Sequence, residues 1–413
     1  MKEPIIAGVD AGSSSVKTVI ARVVNHEQLE VIGIGESESQ GILKGVIVNI
    51  EAAADSIQKS INQAEHMAGI SAPDVIATIG GDHISCLNSN GVIGVNTKDK
   101  EITKSEVERV LDSAKNVLIP QDREIIETIE QEYSLDGQDE IKNPIGMSGT
   151  RLETRVHLVT GAKYVSENLR KTLHRMNFTG KDLLVNIRGS AEAVLTNDEK
   201  ELGVVAIDIG HSTTSLMVFL QGYVWHTAII PVGSNHITND ISKCVKVTVP
   251  IAEKLKCDHG YAFIDLVGDK ELVEVPTASG KMKTLQKKVL TEIIQPRVEE
   301  ILFLCSRELS KMPPLDILAG GIVFTGGGSL IPGLVELARE FKTNLPATSR
   351  IGIPDKIIGI KDIHDNPAYS AVVGALMMSL DEATNVNIQS NKKSSDKKFK
   401  FNFGLDKLTE FFK

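Results

Sequence analysis

Cysteine, aromatic residues and long apolar runs are all scarce in this sequence of 413 residues. The four cysteines (Cys86, Cys244, Cys257 and Cys305) show neither paired metal-ligand spacing nor a secreted disulfide pattern, so we expect free thiols in an intracellular protein. The longest late apolar stretch, residues 371–380, is about half the ~20 residues that a helix needs to span a bilayer. Asp10 interrupts the only apolar run near the N-terminus. The sequence therefore predicts neither a signal peptide nor a membrane-spanning helix.

An excess of positive charge is also missing. The chain has 45 Lys and Arg against 54 Asp and Glu, which gives a formal net charge of -9. This balance provides no general attraction for nucleic acid, and we predict no nucleic-acid partner. The length exceeds what one hydrophobic core usually supports, so two or more domains are expected. Strand-like and helix-like stretches alternate along the chain, which predicts an α/β class.

Two similar segments are the most informative feature that is present. The first reads IIAGVDAGSSSVKTVIA (residues 5–21) and the second reads VVAIDIGHSTTSLMVFLQ (residues 204–221). Each has an apolar strand, an Asp-x-Gly turn, a Ser/Thr cluster and a second apolar strand. Glycine permits the tight turn, and backbone N–H groups with neighbouring hydroxyls can donate to phosphate oxygens. An aspartate that merely ends a strand in a turn explains one copy equally well. Two copies favour a two-sided phosphate clamp.

The two aspartates of these turns predict a metal ion. Asp10 and Asp208 would face the same gap, where two carboxylates repel phosphate unless a divalent cation lies between them. Mg²⁺ binds with few carboxylates and several waters, so we predict that Asp10 and Asp208 hold Mg²⁺ through water. Lys17 would add a positive charge for the β- and γ-phosphates.

A third glycine-rich element follows late in the chain, in FTGGGSLIPG (residues 324–333). We expect a strand that ends at Thr325, a glycine turn, and a helix that starts near Ser329 with Pro332 in its first turn. Consecutive glycines let a flat ligand lie against bare backbone. A flexible turn is the alternative for this element alone, but together the three elements predict nucleotide binding.

In this order, the two hairpins and the strand-TGGG-helix segment resemble the actin/Hsp70/sugar-kinase superfamily over nearly the whole chain. The resemblance implies two similar lobes with ATP and Mg²⁺ in the cleft between them. It makes NIRGSAEAVL (residues 186–195) and PAYSAVVGALM (residues 367–377) the two lobe-connecting helices, both rich in small residues. It also implies that Glu253 binds the ribose and Lys256 flanks the base. The predicted nucleotide-binding residues are Asp10, Gly12, Ser13, Ser14, Ser15, Lys17, Asp208, Gly210, His211, Ser212, Thr213, Glu253, Lys256, Gly326, Gly327, Gly328 and Ser329.

Within the superfamily the sequence is most similar to the FtsA family of bacterial cell-division proteins. The block at residues 84–165 falls where that family carries its distinctive subdomain, and ELGVVAIDIGHSTTSLMVF (residues 201–219) is similar to its second hairpin. The resemblance implies an ATP-supported polymer that tethers the tubulin-like FtsZ to the inner face of the cytoplasmic membrane at the division site. The implied partners are the FtsZ C-terminal peptide, other copies of the chain, the anionic membrane, and other division proteins bound by the inserted subdomain.

The fold expected from this resemblance is an actin-like α/β fold with duplicated lobes, an inserted α+β subdomain, and a C-terminal amphipathic helix on a disordered linker. The expected divisions are the first lobe (1–83), the inserted subdomain (84–165), the first lobe continued with the first connecting helix (166–197), the second-lobe core (198–226), its outer subdomain (227–305), the second-lobe core with the adenosine loop (306–365), the first lobe continued with the second connecting helix (366–383), the linker (384–398) and the terminal helix (399–413).

The C-terminal tail can be interpreted without the family. At about 100° per residue, four apolar side chains form one stripe and a fifth borders it. From residue 391 onward there are seven lysines against three acidic residues. A stripe with flanking lysines on a disordered tether suits an anionic bilayer surface. The alternatives are a helix that folds back onto its own core or binds a groove on a partner protein. The predicted membrane-binding residues are Phe401, Leu405, Leu408, Phe411 and Phe412.

Basic residues also gather on and before the predicted long helix of the second lobe. The FtsZ peptide is partly acidic in the resembled family, so this cluster is a candidate receiving surface, with Arg297, Lys287 and Lys288 as its predicted contacts. Arg297 would be the best anchor because its planar fork can bind a carboxylate through two hydrogen bonds. A solvated helix face is the equal alternative.

ATP turnover is expected to be slow at most. Hsp70 proteins carry a water-orienting glutamate in the first connecting helix, and Arg188 aligns with it here, with Glu192 about one turn later. We therefore assign no catalytic residue. A pilus-assembly adaptor related to FtsA and an Hsp70-like ATPase remain the alternative functions. No aspartate suited to a sugar-kinase pocket is evident, and no chaperone-type substrate domain follows.

Overall fold

The computed structural model describes residues 4–25, 28–180, 182–276, 282–312, 318–341, 345–346, 348–355 and 357–380. The strands are β1 (Ile5–Ala11), β2 (Ser15–Asn25), β3 (Gln28–Glu38), β4 (Ile42–Leu43), β5 (Val46–Ile47), β6 (Val75–Ile79), β7 (Ser85–Gly94), β8 (Arg123–Leu135), β9 (Gln138–Ile141), β10 (Arg151–Ala162), β11 (Leu183–Val185), β12 (Val204–Ile209), β13 (Thr214–Leu220), β14 (Tyr223–Ile230), β15 (Leu272–Pro276), β16 (Met282–Gln286), β17 (Gly321–Thr325), β18 (Ser349–Ile351) and β19 (Ile357–Gly359). The helices are α1 (Ile50–Ala68), α2 (Lys104–Lys115), α3 (Lys163–Arg175), α4 (Asn186–Val194), α5 (Asn197–Leu202), α6 (Ser234–Val245), α7 (Val249–His259), α8 (Lys287–Leu309), α9 (Leu334–Glu340), α10 (Lys361–His364) and α11 (370–380).

Two sheets form the centres of two similar lobes. The first has the strand order β11-β6-β1-β2-β3-β19, and the second has the order β14-β13-β12-β17-β18. In each sheet, a hairpin strand pairs antiparallel with its own partner and parallel with a later strand: β1 pairs with β2 and β6, and β12 pairs with β13 and β17. The duplicated Asp-x-Gly segments are therefore equivalent hairpins, and the prediction of duplicated lobes is confirmed.

Residues between the first-lobe strands β6 and β11 form a separate sheet of order β7-β10-β8-β9, with all its pairings antiparallel. Helix α2 packs on one face of this sheet, where Ala114 lies with Val156 and Leu158 in a small buried cluster. One helix against a small antiparallel sheet is the predicted inserted α+β subdomain.

The opposite face of the inserted sheet lies on β14, the outer strand of the second-lobe sheet. Cys86 Sγ donates to the Thr227 carbonyl at 3.0 Å, and Asn88 Nδ2 donates to the Trp225 carbonyl at 3.2 Å. The two ring nitrogens of His157 lie 2.7 Å from Asn88 Oδ1 and 2.9 Å from Thr227 Oγ1. These side chains supply partners to a strand edge that would otherwise present unpaired carbonyls. The inserted subdomain therefore contacts the second lobe as well as the first, through a polar interface.

The buried imidazole of His157 predicts acid sensitivity. Burial lowers its pKa to about 3, and the positive charges of His226 and Arg188 add to the effect. The unfolded chain takes up this proton below about pH 6.5, so stability is present at neutral pH and is lost as the pH falls. Through His157, the wild-type protein is expected to lose about 2 kcal/mol of unfolding free energy between pH 7 and pH 5. The His157→Gln variant should lack this part of the loss. Urea unfolding at both pH values measures it. The exposed His66→Gln variant is the control, and an unchanged pH dependence in His157→Gln would contradict the prediction.

The two lobe-connecting helices α4 and α11 cross at glycines. A Cβ added to Gly374 would lie 1.8 Å from the Gly189 carbonyl oxygen, and one added to Gly189 would lie 2.4 Å from the Ala371 carbonyl oxygen. These are backbone-to-backbone contacts that only glycine permits. The small residues of both segments therefore allow the close approach that their sequences predicted.

Gly374→Ala is expected to lower the free energy of unfolding by about 1–3 kcal/mol, the usual cost of overpacking a tight contact. The added methyl group would collide with backbone, which has no rotamer in which to escape. Gly94→Ala is the matched control because a methyl group added to Gly94, on β7, would have nothing within 4 Å. Chemical denaturation of both variants measures the difference, and equal stabilities would show that the helix crossing can relax.

The glycine-rich element differs from its prediction in one respect. Strand β17 ends at Thr325 as expected, but the next helix, α9, begins at Leu334 rather than near Ser329. A short 3-10 turn covers Gly327–Leu330, and Gly333 has a left-handed φ of 85°. The Pro332 carbonyl accepts a hydrogen bond from the Ala262 N–H at 2.8 Å, so it is engaged outside any helix.

The predicted linker (384–398) and terminal helix (399–413), with all five predicted membrane-binding residues, lie outside the described residues. Among the residues that the structure does describe, we find no helix with the length and hydropathy to cross a bilayer.

Candidate functional site

A cavity of about 330 Å³ lies between the two lobes. Both hairpin turns, the glycine-rich turn and helix α7 line it, and every residue predicted to bind nucleotide except Ser329 is part of its wall. Ser329 is buried behind the turn, where its hydroxyl donates to the Gly326 carbonyl at 2.7 Å. The structure thus brings three separate sequence elements together and gives Ser329 a supporting position.

On the first-lobe side, Asp10 lies near the end of β1 and is flanked by residues of both neighbouring strands. Thr78 stands opposite it on β6, and its hydroxyl donates to Asp10 Oδ1. Lys17 stands opposite it on β2. The Lys17 ammonium donates to Ser15 Oγ at 2.7 Å and lies 3.5 Å from Glu36 Oε1. A positive charge is therefore held beside the first turn.

On the second-lobe side, Asp208 occupies the equivalent position on β12, which is buried at every residue. Ser190 of α4 donates its hydroxyl to Asp208 Oδ2 at 2.5 Å. Burial raises the pKa of Asp208 to about 6; the Ser190 hydrogen bond opposes this, and the negative charge of Asp10 adds to it. The negative charge of Asp10 therefore acts on Asp208 across the cavity.

This donor set fits Mg²⁺. Carboxylate oxygens are hard ligands, and a magnesium site commonly uses one or two of them with waters and phosphate oxygens. A cation near Asp10 and Asp208 would also offset the charge repulsion that raises the pKa of Asp208. Asp10 and Asp208 are the residues that would hold the ion.

The glycine-rich turn packs directly on the strand that carries Asp208. Gly326 has a φ of 80°, and a Cβ there would lie 2.1 Å from Asp208 Oδ1. A Cβ on Gly328 would lie 2.5 Å from Ile209 Cγ2, whereas one on Gly327 would meet only Ala368, at 3.7 Å. Gly326 and Gly328 are thus required by the close approach of the turn to β12, and together they bring bare backbone to the cavity.

Helices α6 and α7 provide a charged part of the wall. Lys256 Nζ lies 2.8 Å from Glu253 Oε2 and 3.0 Å from Thr238 Oγ1, and the Thr238 hydroxyl donates to the same carboxylate. Burial alone would raise the pKa of Glu253, but the contacts with Lys256 and Thr238 outweigh it and lower the pKa. Glu253 is therefore an ionised acceptor, which suits hydroxyl groups of a sugar.

The second hairpin turn continues this wall. The Gly210 N–H donates to the Thr213 carbonyl at 2.9 Å, which closes the turn, and the Asn235 N–H donates to the His211 carbonyl at 2.8 Å. Burial lowers the pKa of His211, so its ring is neutral at pH 7. Here a neutral ring donates or accepts hydrogen bonds without adding charge.

Several lining residues were not predicted from the sequence. Thr78, Ser190 and Glu36 belong to the site or support its carboxylates, and Asn186 of α4 also lines the cavity. Arg188, which aligns with the Hsp70 glutamate, does not line it. The helix therefore presents an amide to the cavity two residues before that position. The sequence gave no signal for the role of Ser190, because a serine among small residues in a helix is ordinary.

The basic cluster of the second lobe is largely paired within the chain. Arg297 donates two hydrogen bonds to the carboxylate of Asp240, at 2.7 Å and 3.1 Å. Lys287 lies 3.0 Å from a Glu271 carboxylate oxygen, and Lys288 lies 2.7 Å from Asp269. The fork of Arg297 thus already holds a carboxylate and joins α6 to α8. Arg297 also donates to a carboxylate oxygen of Glu300 on α8, so a peptide that used the fork would have to displace both Asp240 and Glu300.

The structure has two similar lobes, each built around a hairpin, and two helices that cross at glycines join them. The cavity between the lobes has one carboxylate from each side. This arrangement defines an actin-like fold. Solved structures agree: a PilM-PilN type IV pilus biogenesis complex matches with a TM-score of 0.63 and 14% identity, covering 90% of this chain and 97% of that chain. MreB5 of Spiroplasma citri bound to ADP matches with a TM-score of 0.57 and 15% identity, covering 94% and 99%.

Within this class, sequence comparison identifies the family. The family model of the SHS2 domain inserted in FtsA matches residues 81–160, and that of cell division protein FtsA matches residues 205–374. The FtsA of Pseudomonas aeruginosa is 38% identical over 95% of this chain and 94% of its own length. The FtsA of Escherichia coli K12 is 34% identical over 94% and 93%. The chain belongs to the FtsA family of cell-division proteins.

Proposed function

We propose that this protein binds ATP with Mg²⁺ in the cavity between its lobes, polymerises, and tethers FtsZ filaments to the inner face of the cytoplasmic membrane during septum formation. The observation that carries the nucleotide part is the pair of equivalent aspartates, Asp10 and Asp208, that face one cavity from the two lobes. The division role rests on membership of the FtsA family.

The cavity suits a nucleotide in size and chemistry. Its volume of about 330 Å³ lies in the range of small-molecule sites. Turns rich in glycine, serine and threonine offer donors to phosphates, and Glu253 offers an acceptor to a ribose. Structures of MreB5 of Spiroplasma citri with ADP and with AMPPNP share the fold. Mg²⁺, when bound, would offset the negative charge that phosphates bring to the two carboxylates.

The membrane part of the proposal rests on the tail sequence. Each large apolar residue contributes up to ~1.5–3 kcal/mol if fully buried, and each lysine near the surface about 1 kcal/mol. Partial burial and helix ordering offset much of this, so one tail binds reversibly and an array binds tightly.

A pilus-assembly adaptor is the second candidate because the PilM-PilN complex has the same fold. Its 14% identity is evidence for the fold alone, whereas FtsA relatives match at 34–39% identity. Deleting residues 399–413 separates the candidates in a liposome sedimentation assay. A tether loses its membrane binding on deletion, whereas an adaptor that never bound liposomes is unaffected.

A calorimetric titration with Mg-ATP, followed by electron microscopy on an anionic lipid monolayer, tests the proposal as a whole. We expect saturable binding of one nucleotide per chain and filaments on the lipid when ATP is present. The absence of any binding heat, together with ATP-independent particles on the lipid, would contradict the proposal.

Arg297 is the residue to test for FtsZ binding. Arg297→Glu is expected to weaken binding of a labelled FtsZ C-terminal peptide by about 1.5 kcal/mol, the lower end of the range for hydrogen bonds to charged groups. The lower end applies because Asp240 already fills the fork. Fluorescence anisotropy measures the affinity, and ATP binding should be unchanged.

The paired variant Arg297→Gln with Asp240→Asn controls for the internal ion pair. It removes both charges of the Asp240 pair, so the carboxylate that would be stranded on α6 is neutralised, and Glu300, the other partner of Arg297, is 43% exposed and can be solvated. If the peptide uses Arg297, the paired variant also binds weakly. A paired variant that binds as wild type would show that Arg297 serves only its internal contacts with Asp240 and Glu300.

A further inference from the structure

We propose that Thr78 and Ser190 are positioning residues that orient Asp10 and Asp208 for the metal ion of the bound nucleotide. This inference rests on the proposed function of the cavity. It concerns two hydroxyls that come from outside both hairpins: Thr78 from β6 and Ser190 from the connecting helix α4.

Thr78 occupies a position where an apolar residue would fit. The strand reads VIATI, with Val75, Ala77 and Ile79 buried, and Thr78 is only 3% exposed. A buried hydroxyl is costly unless it is hydrogen-bonded. Its hydrogen bond here goes to Asp10 Oδ1. Valine has nearly the same shape, so the distinctive contribution of threonine at this place is that hydrogen bond.

Ser190 shows the same arrangement on the other lobe. It is fully buried among Gly189 and Ala191 in α4, a helix of small residues. Within the described residues, its hydroxyl hydrogen bond is the one to Asp208 Oδ2 at 2.5 Å. A hydrogen bond from a hydroxyl to a carboxylate is charge-assisted and holds its partner firmly.

The two aspartates are held in equivalent ways. In each aspartate, one carboxylate oxygen accepts a hydrogen bond from a hydroxyl, and the other lies beside the glycine of a cavity turn. A Cβ added to Gly12 would lie 3.8 Å from Asp10 Oδ2, and one added to Gly326 would lie 2.1 Å from Asp208 Oδ1. Fixing one oxygen sets the rotation of the carboxylate. Each hydroxyl thus fixes the orientation of an aspartate that lines the cavity.

The contribution of the metal to nucleotide affinity tests this inference. ATP binding to full-length protein is measured in Mg²⁺ and in EDTA for wild type, Thr78→Val, Ser190→Ala and the conservative Thr78→Ser. We expect the Mg²⁺-dependent gain in affinity to fall about tenfold in Thr78→Val and in Ser190→Ala. Affinity in EDTA should change much less than the Mg²⁺-dependent gain, and Thr78→Ser should retain the gain because it keeps the hydroxyl. Binding of Mn²⁺ with ATP, followed by electron paramagnetic resonance, should weaken in the same two variants.

The contrary results are distinct. A wild-type Mg²⁺ gain in both Thr78→Val and Ser190→Ala would overturn the inference and leave the proposed function standing. Equal losses in Mg²⁺ and in EDTA would also overturn it, because they would indicate a general effect on the cavity. A wild-type protein that binds no ATP in either buffer would overturn the proposed function, and this inference with it.

Discussion

Asp208→Ala is expected to weaken Mg-ATP binding by on the order of 100-fold or more, which corresponds to about 3 kcal/mol. The carboxylate organises the metal from the second lobe, and no neighbouring side chain on β12 can replace it. Ser14→Ala should cost only about 0.5–1.5 kcal/mol, because the serine supplies one of several donors to phosphate. Calorimetric titration of both variants with Mg-ATP measures the difference.

Two variants make this result interpretable. Asp208→Asn keeps the shape of the side chain and removes its charge, so it should bind Mg-ATP as poorly as Asp208→Ala. Asp55→Ala on the exposed face of α1 removes an equal charge far from the cavity and should bind as wild type. Because burial raises the pKa of Asp208 to about 6, its charge is held at a cost, and neutralising it should not destabilise the fold. Wild-type affinity for Mg-ATP in Asp208→Asn would refute the metal assignment.

Leu408→Glu and Phe412→Glu are expected to release the protein from anionic liposomes. Each change places a charge in the predicted apolar stripe of the tail and would remove ~1.5–3 kcal/mol of burial, which is about a 10- to 100-fold loss in partitioning. ATP affinity should be unchanged if the predicted linker (384–398) separates the tail from the cavity. Liposome sedimentation and calorimetry on the same preparations measure the two properties.

Phe403→Glu is the matched control for the tail, since Phe403 has the same chemistry but, at about 100° per residue, is predicted to lie off the stripe. It should release the protein less than Phe412→Glu does. Joint loss of membrane binding and ATP affinity in Leu408→Glu would show instead that the terminal helix packs on the body of the protein.

Features that depend on local sequence were predictable. The Asp-x-Gly turn between two apolar strands forms the same hairpin at both places in this chain, so Asp10 and Asp208 could be matched before their partners were known. Gly189 and Gly374 stood in segments of small residues, and small residues predict close helix contacts. The predicted start of α9 near Ser329 was wrong because Pro332 resembled a first-turn proline. Its carbonyl instead accepts a hydrogen bond from the Ala262 N–H, and the helix begins at Leu334.

Features that depend on distant partners were not predictable. Thr78 is 68 residues from Asp10, and a threonine in a strand is ordinary. Arg297 lies 57 residues from Asp240, so a charged run that looked available proved to contain an internal ion pair. The contact of the inserted sheet with β14 uses side chains on backbone carbonyls, such as Asn88 on Trp225, and such a contact leaves no apolar pattern in the sequence.

Recruitment of FtsZ to lipid is the decisive test of the proposed tether. Purified FtsZ is sedimented with anionic liposomes in the presence of Mg-ATP, with wild-type protein, with the variant that lacks residues 399–413, or with neither. FtsZ is expected to enter the liposome pellet only with the wild-type protein. FtsZ that stays in the supernatant with wild-type protein, although that protein itself is in the pellet, would contradict this expectation.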